Sequence, residues 1–439
     1  MRILHLGLGN FFRAHGCWYT DRAPDASEWG IAAFAGRSVG QAAVLAEQDY
    51  LYTLVVKEQS GSGHEVISSL SRAHAADDQQ AWLGYFESPR LAIVTSTVTE
   101  AGYCRNADGG LDAKNPDVRA DLRSLQQDPR ARVTTPPGRF AAGLLARRAA
   151  DAGPLTFLPC DNVVDNGEMV RRIVTETAER VDSSLATWIG EQVSFVTTMV
   201  DRITPRGTEA DHADLLSRTG VDDPALVVTE PFSEWVLAGD FRAGRPAWDQ
   251  AGATFVEDIE PHETRKLWLL NGSHSLMAYA GSIRGHQSVA EAVSDPIVRG
   301  WVEQWWDDAQ PHLRQPAEKI TAYRAALIER FANPRIRHLL AQIAADGSQK
   351  IPIRILPALQ AERAAGRMPT GAVRALAAWV LHLRGVGAPV NDPEADRLSG
   401  LVQGQLPGAA AALLTWLGID DAELTEAVVA SAQQIARDD

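Results

Sequence analysis

The sequence predicts an α/β fold in two parts: a mainly parallel sheet domain over residues 1–255, then an all-helical domain over residues 256–439. Three observations carry this. Short apolar strands alternate with helical segments through the first half, the pattern of a sheet covered on both faces. A glycine turn, Gly7-Leu-Gly9, directly follows the first apolar strand. After about residue 255 the character changes to long Ala/Leu/Arg/Trp-rich amphipathic segments punctuated by Pro and Gly.

Residues 2–6 read as a short strand entering the glycine turn, and 13–23 as the helix after it. Residues 30–35 form a second apolar strand ending at Gly36-Arg37-Ser38, followed by a helix over 39–48. Residues 50–56 and 65–70 alternate aromatic or β-branched residues as strands do. A buried strand over 91–95 leads into Thr97-Val-Thr-Glu-Ala-Gly-Tyr103. Pro136-Pro137-Gly138 breaks the chain before a helix over 139–151, and the strand 155–158 runs into Cys160-Asp-Asn162. Helices over 165–180 and 183–190 and a strand over 193–197 follow. Beyond 255, helical patterns cover 261–282, 285–308, 316–331, 334–344, 370–384, 391–403, 407–416 and 421–437.

Net charge is −14, which argues against a nucleic-acid backbone or an anionic membrane as main partner. No run of about 18 apolar residues predicts a membrane span, and no leader is legible at the N-terminus. Cys17, Cys104 and Cys160 are scattered and odd in number, as expected of reduced thiols in a cytoplasmic protein. No HExxH, GxSxG or Tyr-x-x-x-Lys occurs, and no cluster has metal-ligand spacing.

The stretch Lys266-Leu-Trp-Leu-Leu-Asn271-Gly-Ser-His274 carries the chemistry. On an α-helix at roughly 100° per residue, Asn271 lies about 140° from Lys266 and His274 about 80°, so the three polar groups share one arc. Five of the 42 basic residues are Lys, so the chain defaults to Arg yet keeps Lys here. A desolvated Lys can titrate and Arg cannot, which suits a proton-transfer group. Gly7-Leu-Gly9-Asn10-Phe11 is a partial dinucleotide fingerprint. Its first glycine permits the turn and its second lets backbone N–H groups approach a pyrophosphate, while Phe12 stands where a third glycine is usual. This makes the first domain Rossmann-type. Arg37 ends the second strand where an acidic residue would bind the ribose hydroxyls, which leaves NADP open beside NAD.

Blocks along nearly the whole chain resemble the polyol-specific long-chain dehydrogenases of the mannitol dehydrogenase family. They are 7–15, 48–54, 97–103, Cys160-Asp-Asn162 with Asn166-Gly167, 199–205, 266–275 and Asp346-Gly-Ser-Gln-Lys-Ile-Pro352. The resemblance implies metal-free, nicotinamide-dependent oxidation of a secondary alcohol in a sugar alcohol or aldonate, with NAD as the expected cofactor. It implies Lys266 as general base, Asn271 as hydrogen-bond donor to the reacting oxygen and His274 as orienter of substrate hydroxyls. Asn162 joins Gly7, Gly9, Asn10, Phe11 and Arg37 on the cofactor side, and Arg202 and Lys350 are assigned to substrate binding. Thr197 stands where polyol members carry an asparagine of the oxyanion site, and its hydroxyl can still donate. Glu230-Pro-Phe232 and Asp346-Gly-Ser-Gln-Lys350 are more similar to the branch that interconverts fructuronate and mannonate. The expected substrate pair is therefore D-mannonate and D-fructuronate, with mannitol/fructose or arabinitol/xylulose second, and a dinucleotide-binding regulator without turnover as the rival class. A monomer or small homo-oligomer is expected.

Overall fold

The computed structural model describes residues 1–36 and 40–437, in two compact units, Met1–Glu260 and Pro261–Asp439. Arg37 lies outside the described residues.

The first unit is organised by a six-stranded sheet. Numbering only its strands, these are β1 (Ile3–Leu6), β2 (Ile31–Phe34), β3 (Leu70–His74), β4 (Ile93–Ser96), β5 (Leu155–Pro159) and β6 (Val193–Phe195). Their order in the sheet is β3-β2-β1-β4-β5-β6, and every pairing is parallel. This is the doubly wound dinucleotide-binding order, and it reverses between β1 and β4. Parallel strands covered on both faces are buried along their length, and β1, β2, β4 and β5 are buried at every residue. One face carries Trp82, Phe86, Phe140 and Ile173, from the helices Gln79–Phe86, Pro136–Ala149 and Asn166–Val181. The other carries Cys17, Tyr19, Tyr52, Trp235 and Trp248.

The structure corrects one strand. The expected strand over 65–70 straddles a turn: Ser62–Ile67 pairs antiparallel with Tyr52–Lys57 as a hairpin, and Leu70 then opens β3. Val66, Ile67 and Leu70 are apolar on both sides of Ser68-Ser69, and no Gly or Pro marks that break. A separate small sheet pairs Thr197–Asp201 with Glu234–Ala238 and Glu234–Ala238 with Thr254–Phe255.

The second unit is built of helices. Pro296–Ala309, Ala317–Phe331, Thr370–Leu383, Leu406–Trp416 and Ala422–Ile435 are the longer ones. Thr370–Leu383 is buried on nearly every side and packs against Pro296–Ala309 and Ala422–Ile435, so it forms the centre of the unit. The segment expected as one helix over 261–282 departs from α geometry. It runs as α-helix over Glu260–Arg265, π-helix over Lys266–Gly272, α-helix over Ser273–Leu276 and π-helix again over Met277–Gly281.

Candidate active site

In the first unit the glycine turn sits at the carboxyl end of β1, at the point where strand order reverses. Gly7 adopts φ +115, and a Cβ there would meet the Thr97 carbonyl oxygen at 2.4 Å, so only glycine fits beside β4. Gly7 and Leu8 donate to the Phe34 carbonyl at 3.0 and 3.1 Å, and Thr97 donates to Leu6 O at 2.9 Å. Beneath the turn lies His5, which no sequence motif singles out. Its Nε2 is 3.0 Å from Gly7 O, and its Nδ1 is 2.5 Å from Thr95 Oγ1. A carbonyl only accepts, so Nε2 carries the proton and Nδ1 accepts from the threonine. Burial lowers the His5 pKa to about 3, so the ring is neutral. Phe12 stacks on it with centroids 3.2 Å apart. Gly16 makes room for Phe12, because a Cβ at Gly16 would meet the phenylalanine ring at 2.8 Å. The missing third glycine is thus replaced by an aromatic pair. Gly9 is exposed, and the nearest atom to a Cβ placed on it is 3.7 Å away, so a ligand can come close to the turn, while the Gly9 N–H itself is donated to Gly7 O at 2.6 Å. These features fit a dinucleotide.

The other residues predicted for this unit are distributed as follows. Asn10 accepts from Arg13 at 2.8 Å, and Phe11 stacks on His15. Asn162 is exposed in the loop after β5. Asn166 is buried and clamps that loop, donating to Asp161 O at 3.0 Å and Thr198 O at 2.9 Å. Gly167 is required because Thr197 N and Oγ1 would lie 2.6 and 2.5 Å from a Cβ. Thr197 Oγ1 reaches Asp165 at 3.3 Å. Arg202 is buried, donating to Ala14 O at 2.6 Å and lying 4.4 Å from the Trp18 ring centre.

In the second unit the π-turn brings Lys266 and Asn271 together. A π-helix closes i→i+5, so Asn271 falls one turn after Lys266 and on its side, whereas an α-helix would separate them by about 140°. Hydrogen bonds from outside the segment hold the widened turn. Trp305 Nε1 donates to Trp268 O at 2.8 Å, Trp306 Nε1 to Leu269 O at 2.9 Å, and Ser273 Oγ to Leu269 O at 2.6 Å. Gly272 lets Trp305 approach, since a Cβ would meet its ring at 2.7 Å.

His274 is buried beside this turn, and its Nε2 has no hydrogen-bond partner among the described residues. Its ring lies 4.8 Å from that of His338 and 5.1 Å from that of Phe331. Its pKa is driven well below the usual value, first by burial and then by His338, Arg354, Arg330 and Lys266 around it. Burial also lowers His338 to about 4, so both rings are neutral near pH 7. Arg354 Nη1 donates to Ser275 Oγ at 3.2 Å and lies 3.5 Å from Asn271 O. Lys350 is drawn to a helix end, donating to Ala345 O at 2.6 Å and Ile343 O at 3.2 Å. Lys266 lies near enough to His274 to lower its pKa, and Asn271 follows Lys266 by one turn of the π-helix. His338, Arg330 and Arg354 join them unannounced. Arg354 lies one helical turn past Lys350, and that i, i+4 spacing is the signal that could have drawn attention to it. Among the described residues no group of three or more His, Cys, Asp or Glu is placed to hold a metal, and no helix is long and apolar enough to cross a membrane.

The mannitol dehydrogenase Rossmann domain model matches residues 1–250, and the mannitol dehydrogenase C-terminal domain model matches 258–436. An uncharacterized oxidoreductase of Escherichia coli K12, YeiQ, is 38% identical over 92% of this chain and 84% of its own. The D-mannonate oxidoreductase of the same strain is 36% identical over 99% of this chain and 93% of its own. The ternary complex of Pseudomonas fluorescens mannitol 2-dehydrogenase with NAD and D-mannitol superposes with TM-score 0.83 at 34% identity, covering 99% of this chain and 91% of that one.

Proposed function

Since the chain belongs to the mannitol dehydrogenase family of oxidoreductases, we propose that it interconverts D-mannonate and D-fructuronate with NAD. NAD, held on the glycine turn of the first unit, supplies the hydride acceptor when bound. Lys266 takes the proton from the carbinol hydroxyl in oxidation and returns one to the ketone oxygen in reduction. Asn271, one π-turn away, donates its carboxamide N–H to that oxygen as negative charge develops. His274 presents its unpartnered Nε2 to a substrate hydroxyl.

The observation that carries the sugar acid over a neutral polyol is the field of Arg354, a cation beside His274 that pairs with no carboxylate among the described residues. A neutral hexitol gives such a field nothing to neutralise, and an aldonate or ketouronate brings one negative charge. The D-mannonate oxidoreductase relative supports the same choice. The test is a panel of D-fructuronate, D-mannonate, fructose, mannitol, arabinitol and xylulose followed by NADH absorbance. A kcat/KM for fructuronate at least tenfold above that for any neutral ketose is expected. A preference for fructose or xylulose would reject the acid pair in favour of the polyols. Cofactor binding without turnover of any panel member would favour a regulator.

A further inference from the structure

Arg354 closes the helix Gly347–Arg354 and turns its guanidinium toward the π-turn. Its described hydrogen bonds are two, both from Nη1: 3.2 Å to a serine hydroxyl and 3.5 Å to a backbone carbonyl. Its Nε is buried without a partner. The guanidinium pairs with no carboxylate among the described residues. Asp346, the acid whose charge it feels, lies 3.8 Å from the Lys350 ammonium. Burial lowers the Arg354 pKa to about 10, which leaves it a cation at any physiological pH. A guanidinium taken partly out of water without a counter-ion is costly, and structures that tolerate one normally supply its partner. Elsewhere in the same unit partly exposed guanidinium groups do have theirs: Arg284 pairs with Asp295 at 2.8 Å and Arg363 with Asp421 at 2.9 Å.

We infer that Arg354 is the carboxylate-recognition residue of the site, and that its missing counter-ion is the substrate's own carboxylate. The inference rests on the sugar-acid reading above and names the residue responsible for it. A planar guanidinium with free donors matches a carboxylate edge-on, which a lysine cannot reproduce. Placement agrees with the chemistry of the substrate. In D-mannonate the carboxylate stands at the opposite end of the carbon chain from the carbinol that is oxidised. Arg354 approaches the backbone of Asn271 and the side chain of Ser275, beside the reacting groups and not among them. His274 and His338 are neutral, so neither competes as a counter-charge.

The test compares wild type, Arg354→Gln and Arg354→Lys in the holoenzyme with NADH, using D-fructuronate and D-fructose. Loss of a charge-assisted, two-point contact predicts a KM for fructuronate raised roughly 10- to 100-fold in Arg354→Gln. The loss in kcat/KM should be at least about tenfold greater for fructuronate than for fructose. Arg354→Lys should recover only part of it. Competitive inhibition by D-gluconate, a non-reacting sugar acid, should weaken in parallel and gives a readout independent of turnover. Ser275→Ala, which removes a neighbour of the guanidinium but not its charge, should cost far less and controls for local repacking. Unchanged KM and gluconate inhibition in a folded Arg354→Gln, with wild type active on fructuronate, would overturn this inference and leave the sugar-acid reading standing. Equal losses on both ketoses would overturn it as well. A wild type that turns over fructose but no sugar acid would overturn both.

Discussion

Replacing Gly272 by alanine puts one methyl group where the structure has no space. The new Cβ would lie 2.7 Å from both Cζ2 and Nε1 of Trp305 and 2.9 Å from Cε2. Trp305 is fully buried and tethered through Nε1 to Trp268 O at 2.8 Å, so the ring cannot swing aside without breaking that bond. Overpacking of this kind costs about 1–3 kcal/mol. Freeing a buried carbonyl would add roughly 1–3 kcal/mol if the indole moves. For a unit of this size, each kcal/mol lowers Tm by about 2–4 °C, so the overpacking alone predicts a fall of roughly 2–12 °C. The catalytic effect should exceed what stability explains. Gly272 follows Asn271 directly, and displacing that carboxamide by about 1 Å can lower turnover on the order of 100-fold. The assay is kcat, KM and NADH Kd for Gly272→Ala, Trp305→Phe and the double variant, with Tm by circular dichroism. The two sites touch, so the double variant should lose less than the sum of the singles. Wild-type kcat and Tm in Gly272→Ala, or strict additivity in the double variant, would refute the claim that Trp305 holds the π-turn.

Lys266→Ala should reduce kcat at least about 100-fold while leaving the Kd for NADH within a factor of roughly two, since it removes the base and not the cofactor site; a folded variant with near wild-type kcat would remove Lys266 from proton transfer. Arg37→Ala should weaken NADH and NADPH alike if the guanidinium stacks on adenine, and wild type binding NADPH about tenfold more tightly than NADH would reverse the choice of NAD. Asp161 is buried between Tyr103, Ser96 at 3.1 Å and the Val98 amide at 2.5 Å, and burial raises its pKa to about 7. A carboxyl with a raised folded pKa contributes stability that is complete below its unfolded pKa near 4 and is lost as pH rises through about 7. Urea titrations from about pH 5 to pH 8 should therefore show Asp161→Asn gaining stability relative to wild type as pH rises, and a pH-independent difference would show that Asp161 does not titrate in this range.

Much of the first unit was legible because its signals are local. Short, mostly apolar runs such as Ile3–Leu6 and Leu91-Ala-Ile-Val94 fit a covered parallel sheet, and Gly7 follows the first of them directly. The strand break at Ser68-Ser69 was hidden because apolar residues stand on both sides of it and neither Gly nor Pro marks it. The identities of Lys266, Asn271 and His274 were also legible, since a rare lysine and two polar groups stand out in an apolar segment. Their geometry was not. Whether that segment closes i→i+4 or i→i+5 depends on Trp305 and Trp306, whose indoles donate to its carbonyls from 37 residues away in sequence. Nothing within the segment itself specifies those donors. Arg354 was hidden for the same reason. As one of many arginines its type is uninformative, and its meaning comes from standing beside Asn271, 83 residues earlier, without a carboxylate of its own. The sequence by itself determined which chemical groups the protein owns and which short segments must be buried. Tertiary structure decided which of those groups meet and which charges are left without partners, because hydrogen bonds and desolvation act through space between residues that the chain order keeps apart.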